Sequence, residues 1–153
     1  MKRILKSKSI YFLTLLFLVF SSCIKEPLNP NNNNGTSDLT DTTMLNVSYG
    51  LHIRQVYDVY LPANRDTSTP VILMIHGGAW KAGQKEDFNY YVNLIKAKWN
   101  NVAIVNMNYR LASNTANIHH NEILADIASV VNQINANQAN YHISNNIGVV
   151  GAS

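Results

Sequence analysis

The sequence predicts an α/β fold, a mostly parallel sheet with helices on its faces, and three observations carry that prediction. Val71-Ile72-Leu73-Met74-Ile75 follows Pro70 as an unbroken apolar run with three β-branched residues. No polar residue alternates in it, which is the pattern of a strand buried on both faces. From residue 71 to residue 150 the hydrophobic period then switches back and forth between strand and helix. Strands separated by helical stretches are crossover units, and crossovers make parallel neighbours. Finally, the three strands of that run end on His76-Gly77-Gly78-Ala79, Tyr109-Arg110 and Gly151-Ala152-Ser153. In open α/β sheets ligands bind beyond the carboxyl ends of the strands.

Taken in order, Met1 to Ser9 is basic, Ile10 to Phe20 is apolar but short for a bilayer span, and Ser21-Ser22-Cys23 closes the run with small residues. Residues 1–22 read as a secretory signal peptide, set aside from the fold. The sole cysteine falls at the expected cleavage point, and the segment resembles a bacterial lipobox, with Phe20 in place of the commoner leucine. That resemblance implies lipidation of Cys23 and anchoring to the cell envelope, the outer membrane being favoured. The bland alternative is an ordinary signal peptide or N-terminal anchor with an incidental cysteine. Residues 23–43 carry two prolines, four consecutive asparagines and a Ser/Thr/Asp-rich run, so they read as a disordered tether.

The globular domain is expected over 44–153. Met44 to Tyr49 and Val56 to Leu61 read as strands, joined as a hairpin around Gly50. In the second, Val56, Asp58 and Tyr60 alternate with Tyr57, Val59 and Leu61, the period of a strand with one wetter face. Pro62 to Pro70 is a polar connection. After the strand at 71–75, the His-Gly-Gly break is either a plain turn or a bare-backbone anion or oxyanion site, since glycines leave N–H groups free to point outward. Phe88, Tyr91, Val92, Ile95 and Trp99 form one helical stripe, Val102 to Met107 a strand, and Ile123, Ile127, Val130, Val131 and Ile134 a second stripe within 118–138. His119, His120 and Glu122 invite a metal reading. The histidines are not at i, i+4, so one helix face cannot present both, and a solvated first turn is the better reading. Ile147 to Val150 is the last strand.

Composition excludes several classes. Hydrophobic content of 46% against 14% charged residues supports a packed core. The net charge of +3 misleads, because Lys2, Arg3, Lys6 and Lys8 lie in the signal; without them eight basic residues face nine acidic ones. No basic face remains to argue for nucleic acid. One cysteine allows no internal disulfide.

Asp58-Val59-Tyr60-Leu61-Pro62, His76-Gly77-Gly78-Ala79-Trp80, Asn108-Tyr109-Arg110-Leu111 and Gly148-Val149-Val150-Gly151-Ala152-Ser153 stand in this order. Together they resemble the N-terminal half of an α/β-hydrolase. The nearest branch is the carboxylesterases, including the hormone-sensitive-lipase-like and bacterial feruloyl-esterase-like enzymes. The resemblance implies a serine ester hydrolase without a cofactor, acting on a small-molecule ester. Gly151 and Ser153 match the first and third residues of the G-x-S-x-G nucleophile elbow. Gly78 and Ala79, with Gly77 shaping the turn, would supply oxyanion-hole amides. The strand at 71–75 would lie beside the strand at 147–150.

In the family the histidine of this loop is a structural brace, not the base, and the triad runs Ser, then Asp or Glu, then His. His52, His76, His119, His120 and His142 all precede Ser153, and Arg110 and Asp126 are read as structural. Trp80 and Tyr109 either line a pocket or pack, packing being favoured. The second elbow glycine, the helix behind the serine and the triad acid and histidine do not occur, so the chain is expected to be a C-terminally truncated, inactive fragment. A non-catalytic lipoprotein with a hydrolase-like binding domain, and a peptidase or amidase on the same fold, are the alternatives.

Overall fold

The computed structural model describes residues 39–153. The expected signal segment, Cys23 and most of the expected tether lie outside those residues. The chain is tied in from the first described residues: the Leu39 carbonyl accepts the Asn64 N–H at 2.7 Å, and the Thr40 carbonyl accepts from the Arg65 guanidinium at 2.7 Å.

Strand β1 (Thr42–Ser48) begins within the stretch expected to be tether, because Thr42 and Thr43 pair with Leu61 and Tyr60. It runs antiparallel to β2 (Val56–Leu61), with a register shift between Met44 and Val47 where Asn46 takes a left-handed φ of 56°. β2 pairs antiparallel with β4 (Ala103–Met107), and β4 runs parallel to β3 (Val71–Ile75). β3 in turn pairs parallel with β5 (Ile147–Gly151), giving the order β1-β2-β4-β3-β5. The sheet is therefore mixed: a parallel half, where the apolar runs predicted it, and an antiparallel hairpin, where alternation predicted it. The strands at 71–75 and 147–151 are direct neighbours, as the resemblance requires.

Helices cover both faces. On one, Ile123, Val130 and Ile134 of α2 (His120–Ala136) pack on Val59, Leu73, Val105 and Met107. Burying each such side chain contributes about 1.5–3 kcal/mol. Glu122 accepts the His119 N–H at 2.8 Å, a first-turn cap that gives this carboxylate a structural task. A four-residue helix, α3 (Gln138–Tyr141), follows and ends on His142 in the left-handed region. On the other face a 3₁₀ turn (Lys85–Phe88) leads into α1 (Asn89–Lys98), and Phe88 and Val92 pack on Met74 and Ile104.

Two sequence expectations fail on this second face. Tyr91 and Trp99 belong to the predicted stripe but are 50% and 61% exposed. The 3₁₀ turn advances the chain differently from an α-helix, and Trp99 is already extended (φ −128°), so the 3.6-residue phase does not hold across the stripe. Asp58 lies on the strand face expected to be wet, yet it is buried. Lys85 reaches it at 2.8 Å and neutralises it.

Candidate active site

The loop after β3 is built to keep certain amides unpaired. Gly78, Ala79 and Trp80 have φ of 111°, 51° and 60° in succession. Glycine adopts such values freely, but alanine and tryptophan do so at a cost of roughly 1–2 kcal/mol each. Strain of this kind persists only where the surroundings over-determine it. Here they do. The His76 ring nitrogen Nδ1 lies 2.8 Å from the Gly77 carbonyl oxygen, the Gly78 carbonyl accepts both the Lys81 and Ala82 N–H at 3.0 Å, and the Trp80 carbonyl accepts the Ala112 N–H at 2.8 Å. In a trans peptide the N–H points opposite to the C=O. Tying back the Gly77 and Gly78 carbonyls therefore turns out the N–H groups of Gly78 and Ala79. Among the described residues neither amide meets an acceptor.

His76 is buried at 2% exposure and stacks on Tyr109, with ring centroids 4.2 Å apart and planes 10° from parallel. The Tyr109 hydroxyl donates to the His76 carbonyl at 2.9 Å. Burial pushes the imidazole below the ordinary histidine range, and the Arg54 charge adds to this; together they outweigh the opposing hydrogen bond to Gly77. Both ring nitrogens are occupied, so His76 is a brace and has no free nitrogen to act as a base.

Ser153 follows β5 on the same rim. The Ala152 N–H donates to the Ile75 carbonyl at 3.2 Å, which holds the end of β5 against the end of β3. A Cβ on Gly77 would stand 2.8 Å from the Ser153 carbonyl oxygen and 3.0 Å from the Ala152 carbonyl carbon. Only glycine permits that approach. Gly77, Ala79 and Ser153 share one cleft of about 240 Å³ with Trp80, Tyr109 and Ile127, and Gly78 lies between two of its lining residues. The structure thus brings Gly77, Gly78, Ala79 and Ser153 together. Tyr109 does both: it packs against His76, as expected, and also lines the cleft. Trp80 is not packed: it stands 63% exposed at the cleft, because its left-handed backbone turns it off the core.

Arg110 and Asp126 are structural. The buried Asp126 carboxylate takes the Arg110 guanidinium at 2.7–3.1 Å, the Arg110 N–H at 2.9 Å and the Gln55 amide at 2.9 Å. Two groups escaped the sequence reading. Lys85 is buried between Asp58 and Glu86, its N–H donates to Asn108 Oδ1 at 2.7 Å, and its carbonyl accepts from Asn106 at 2.7 Å. Arg54 reaches from the β1–β2 connection to the carbonyls of Gly83 (2.8 Å) and Tyr109 (2.9 Å) and to His76 Nε2 (3.3 Å). An arginine in a polar turn carries no periodic or motif signal that would have revealed this.

Residues 57–153 match the family model described as BD-FAE. A kynurenine formamidase of Salmo salar is 27% identical over 92 residues, which cover 60% of this chain and 31% of that protein. Among solved structures, a bifunctional GH43-CE protein of Bacteroides eggerthii superposes with a TM-score of 0.61 at 25% identity, over 72% of this chain and 16% of the other. A truncated carbohydrate esterase from gut microbiota gives 0.59 at 27% identity, over 76% and 41%. Esterase B of Lactobacillus rhamnosis gives 0.62 at 20% identity over 77% and 36%, a likeness of fold. The chain spans about a third of the length of the curated relative it matches.

Proposed function

The chain belongs to the BD-FAE family, and from that premise we propose that it carries the nucleophile and half of the oxyanion hole of a serine ester hydrolase. Ser153 Oγ attacks the ester carbonyl, the developing oxyanion takes hydrogen bonds from the Gly78 and Ala79 amides, and the alcohol leaves. Water then deacylates the serine. Losing one such donor typically costs about 2.7–4 kcal/mol of barrier. The observation that carries the reading is the pair of tied-back carbonyls in Gly77 and Gly78, beside a serine at the end of the neighbouring strand. The carbohydrate esterase among the structural relatives supports it. The nucleophile needs a base, and His76, the described histidine at this cleft, is committed elsewhere.

The test uses a chain carrying this domain at the relatives' length, assayed on p-nitrophenyl acetate. Ser153→Ala is expected to lower turnover at least about 10³-fold; equal turnover by the variant overturns the assignment. The 153-residue chain is expected to show no turnover above its own Ser153→Ala control. The formamidase relative favours one second reading, hydrolysis of an amide by the same groups. An N-formyl aromatic amine assayed beside the aryl ester separates the two. The lipid anchor on Cys23 belongs to the same proposal and rests on the sequence pattern; incorporation of labelled palmitate that survives Cys23→Ser would refute it.

A further inference from the structure

Arg54 has a more specific task than filling space. The Gly77 carbonyl oxygen has no proton to give, so His76 Nδ1, 2.8 Å away, must carry one. The Arg54 guanidinium has only protons to give, so Nε2, at 3.3 Å from Nη2, must present its lone pair. Of the three states of an imidazole, only the neutral Nδ1–H tautomer satisfies both neighbours. The Nε2–H tautomer and the imidazolium would each aim an N–H at a cation. Arg54 is held for this by the Gly83 and Tyr109 carbonyls at 2.8 and 2.9 Å, with Asn108 Oδ1 at 3.4 Å. The other charged groups near the ring, Glu86 and Asp87, come from the 3₁₀ turn, and Asp87 is occupied by the Gln84 N–H at 2.9 Å.

We infer that Arg54 is a positioning residue: it locks His76 as the Nδ1–H tautomer and thereby fixes the Gly77–Gly78 peptide with the Gly78 amide turned outward. The functional meaning rests on the oxyanion reading above; the lock itself does not. Because the ring cannot turn over its proton, the loop keeps one geometry across the pH range in which a free histidine would titrate.

The test is long-range ¹H–¹⁵N correlation of the imidazoles in the ¹⁵N-labelled 153-residue chain between pH 5 and 8. His76 is expected to show a protonated Nδ1 and a bare Nε2 at every pH. An Nε2–H pattern, an even mixture, or an imidazolium pattern at pH 6 overturns the inference. Arg54→Met leaves the Gly77 carbonyl to hold the Nδ1 proton but removes the cation facing Nε2, so the variant is expected to gain an imidazolium signal as pH falls toward 5, and a wild-type pattern in that variant also overturns the inference. Arg54→Lys retains a cationic donor and is expected to keep the Nδ1–H pattern; its loss refutes the lock even if Arg54→Met does not fold. Failure of the hydrolase reading appears instead in the Ser153→Ala comparison and leaves the tautomer untouched.

Discussion

Lys85→Met isolates one charge in the polar layer beneath the loop. Methionine keeps the length and most of the apolar stem of lysine, so packing changes little. What is lost is the ammonium 2.8 Å from Asp58, whose side chain is 5% exposed. Glu86 also touches Lys85, at 2.7 Å, but its side chain is 44% exposed and returns to water without penalty. Asp58 cannot: it retains the Asn46 N–H at 2.8 Å and the neighbouring Tyr60 hydroxyl, neither of which carries a charge to replace the ammonium. Removing one member of a buried pair costs about 3–5 kcal/mol, because the partner is left charged in a dry site. With a urea m-value of about 1.5 kcal/mol/M for a domain of this size, the midpoint is expected to fall by roughly 2–3 M. Lys85→Met/Asp58→Asn removes both charges and preserves the acceptor for Asn46, so it is expected to recover at least half the loss. A single variant within about 1 kcal/mol of wild type, or a double variant no more stable than the single, would refute the reasoning.

Other outcomes follow from the same geometry. Gly77→Ala sets a Cβ against backbone 2.8–3.0 Å away and is expected to cost about 1–3 kcal/mol, with faster hydrogen exchange at the Ala152 amide; unchanged exchange contradicts the close approach. Trp80→Gly relieves a left-handed residue that is mostly exposed, so a gain of about 0.5–1 kcal/mol is expected by urea unfolding, and a loss of that size would disprove the strain. Val149→Lys with Val150→Lys places charge on the edge strand β5, where both side chains are exposed, and is expected to raise soluble yield of the 153-residue chain on size exclusion. Burial pulls the Lys85 amine down, but its bonds to Asp58 and Glu86 prevail and hold it above the ordinary lysine value of 10.5. A raised folded value means the pair stabilises fully below 10.5 and fades as pH climbs past the folded value. Wild type is thus expected to lose stability in alkali more steeply than Lys85→Met/Asp58→Asn.

The parts legible in the sequence were those governed by local periodicity. β2 and β3 lie over the predicted residues because Val56–Leu61 alternates and Val71–Ile75 does not. The loop and Ser153 were placed on one rim by the strand order that the motifs implied, and they lie there. What stayed hidden depends on partners distant in sequence. Alternation assigns Asp58 to solvent, and only Lys85, 27 residues later, reverses that. Arg54 sits in a turn with no period, and its value arises from carbonyls 29 and 55 residues away. Trp80 reads as a packing residue by type, but the backbone at that position overrides type.

The order of strands in the sheet differs from the order in which the ribosome delivers them. Both neighbours of β3 come after it in the chain, β4 first and β5 last, since Val71 pairs with Ala103 on one side and with Ile147 on the other. About 75 residues must be translated in between, which at 5–20 residues per second takes roughly 4–15 s. Throughout that interval the most apolar strand of the nascent domain offers bare backbone to anything nearby. This is the interval in which a holdase chaperone would find one edge of β3 still open.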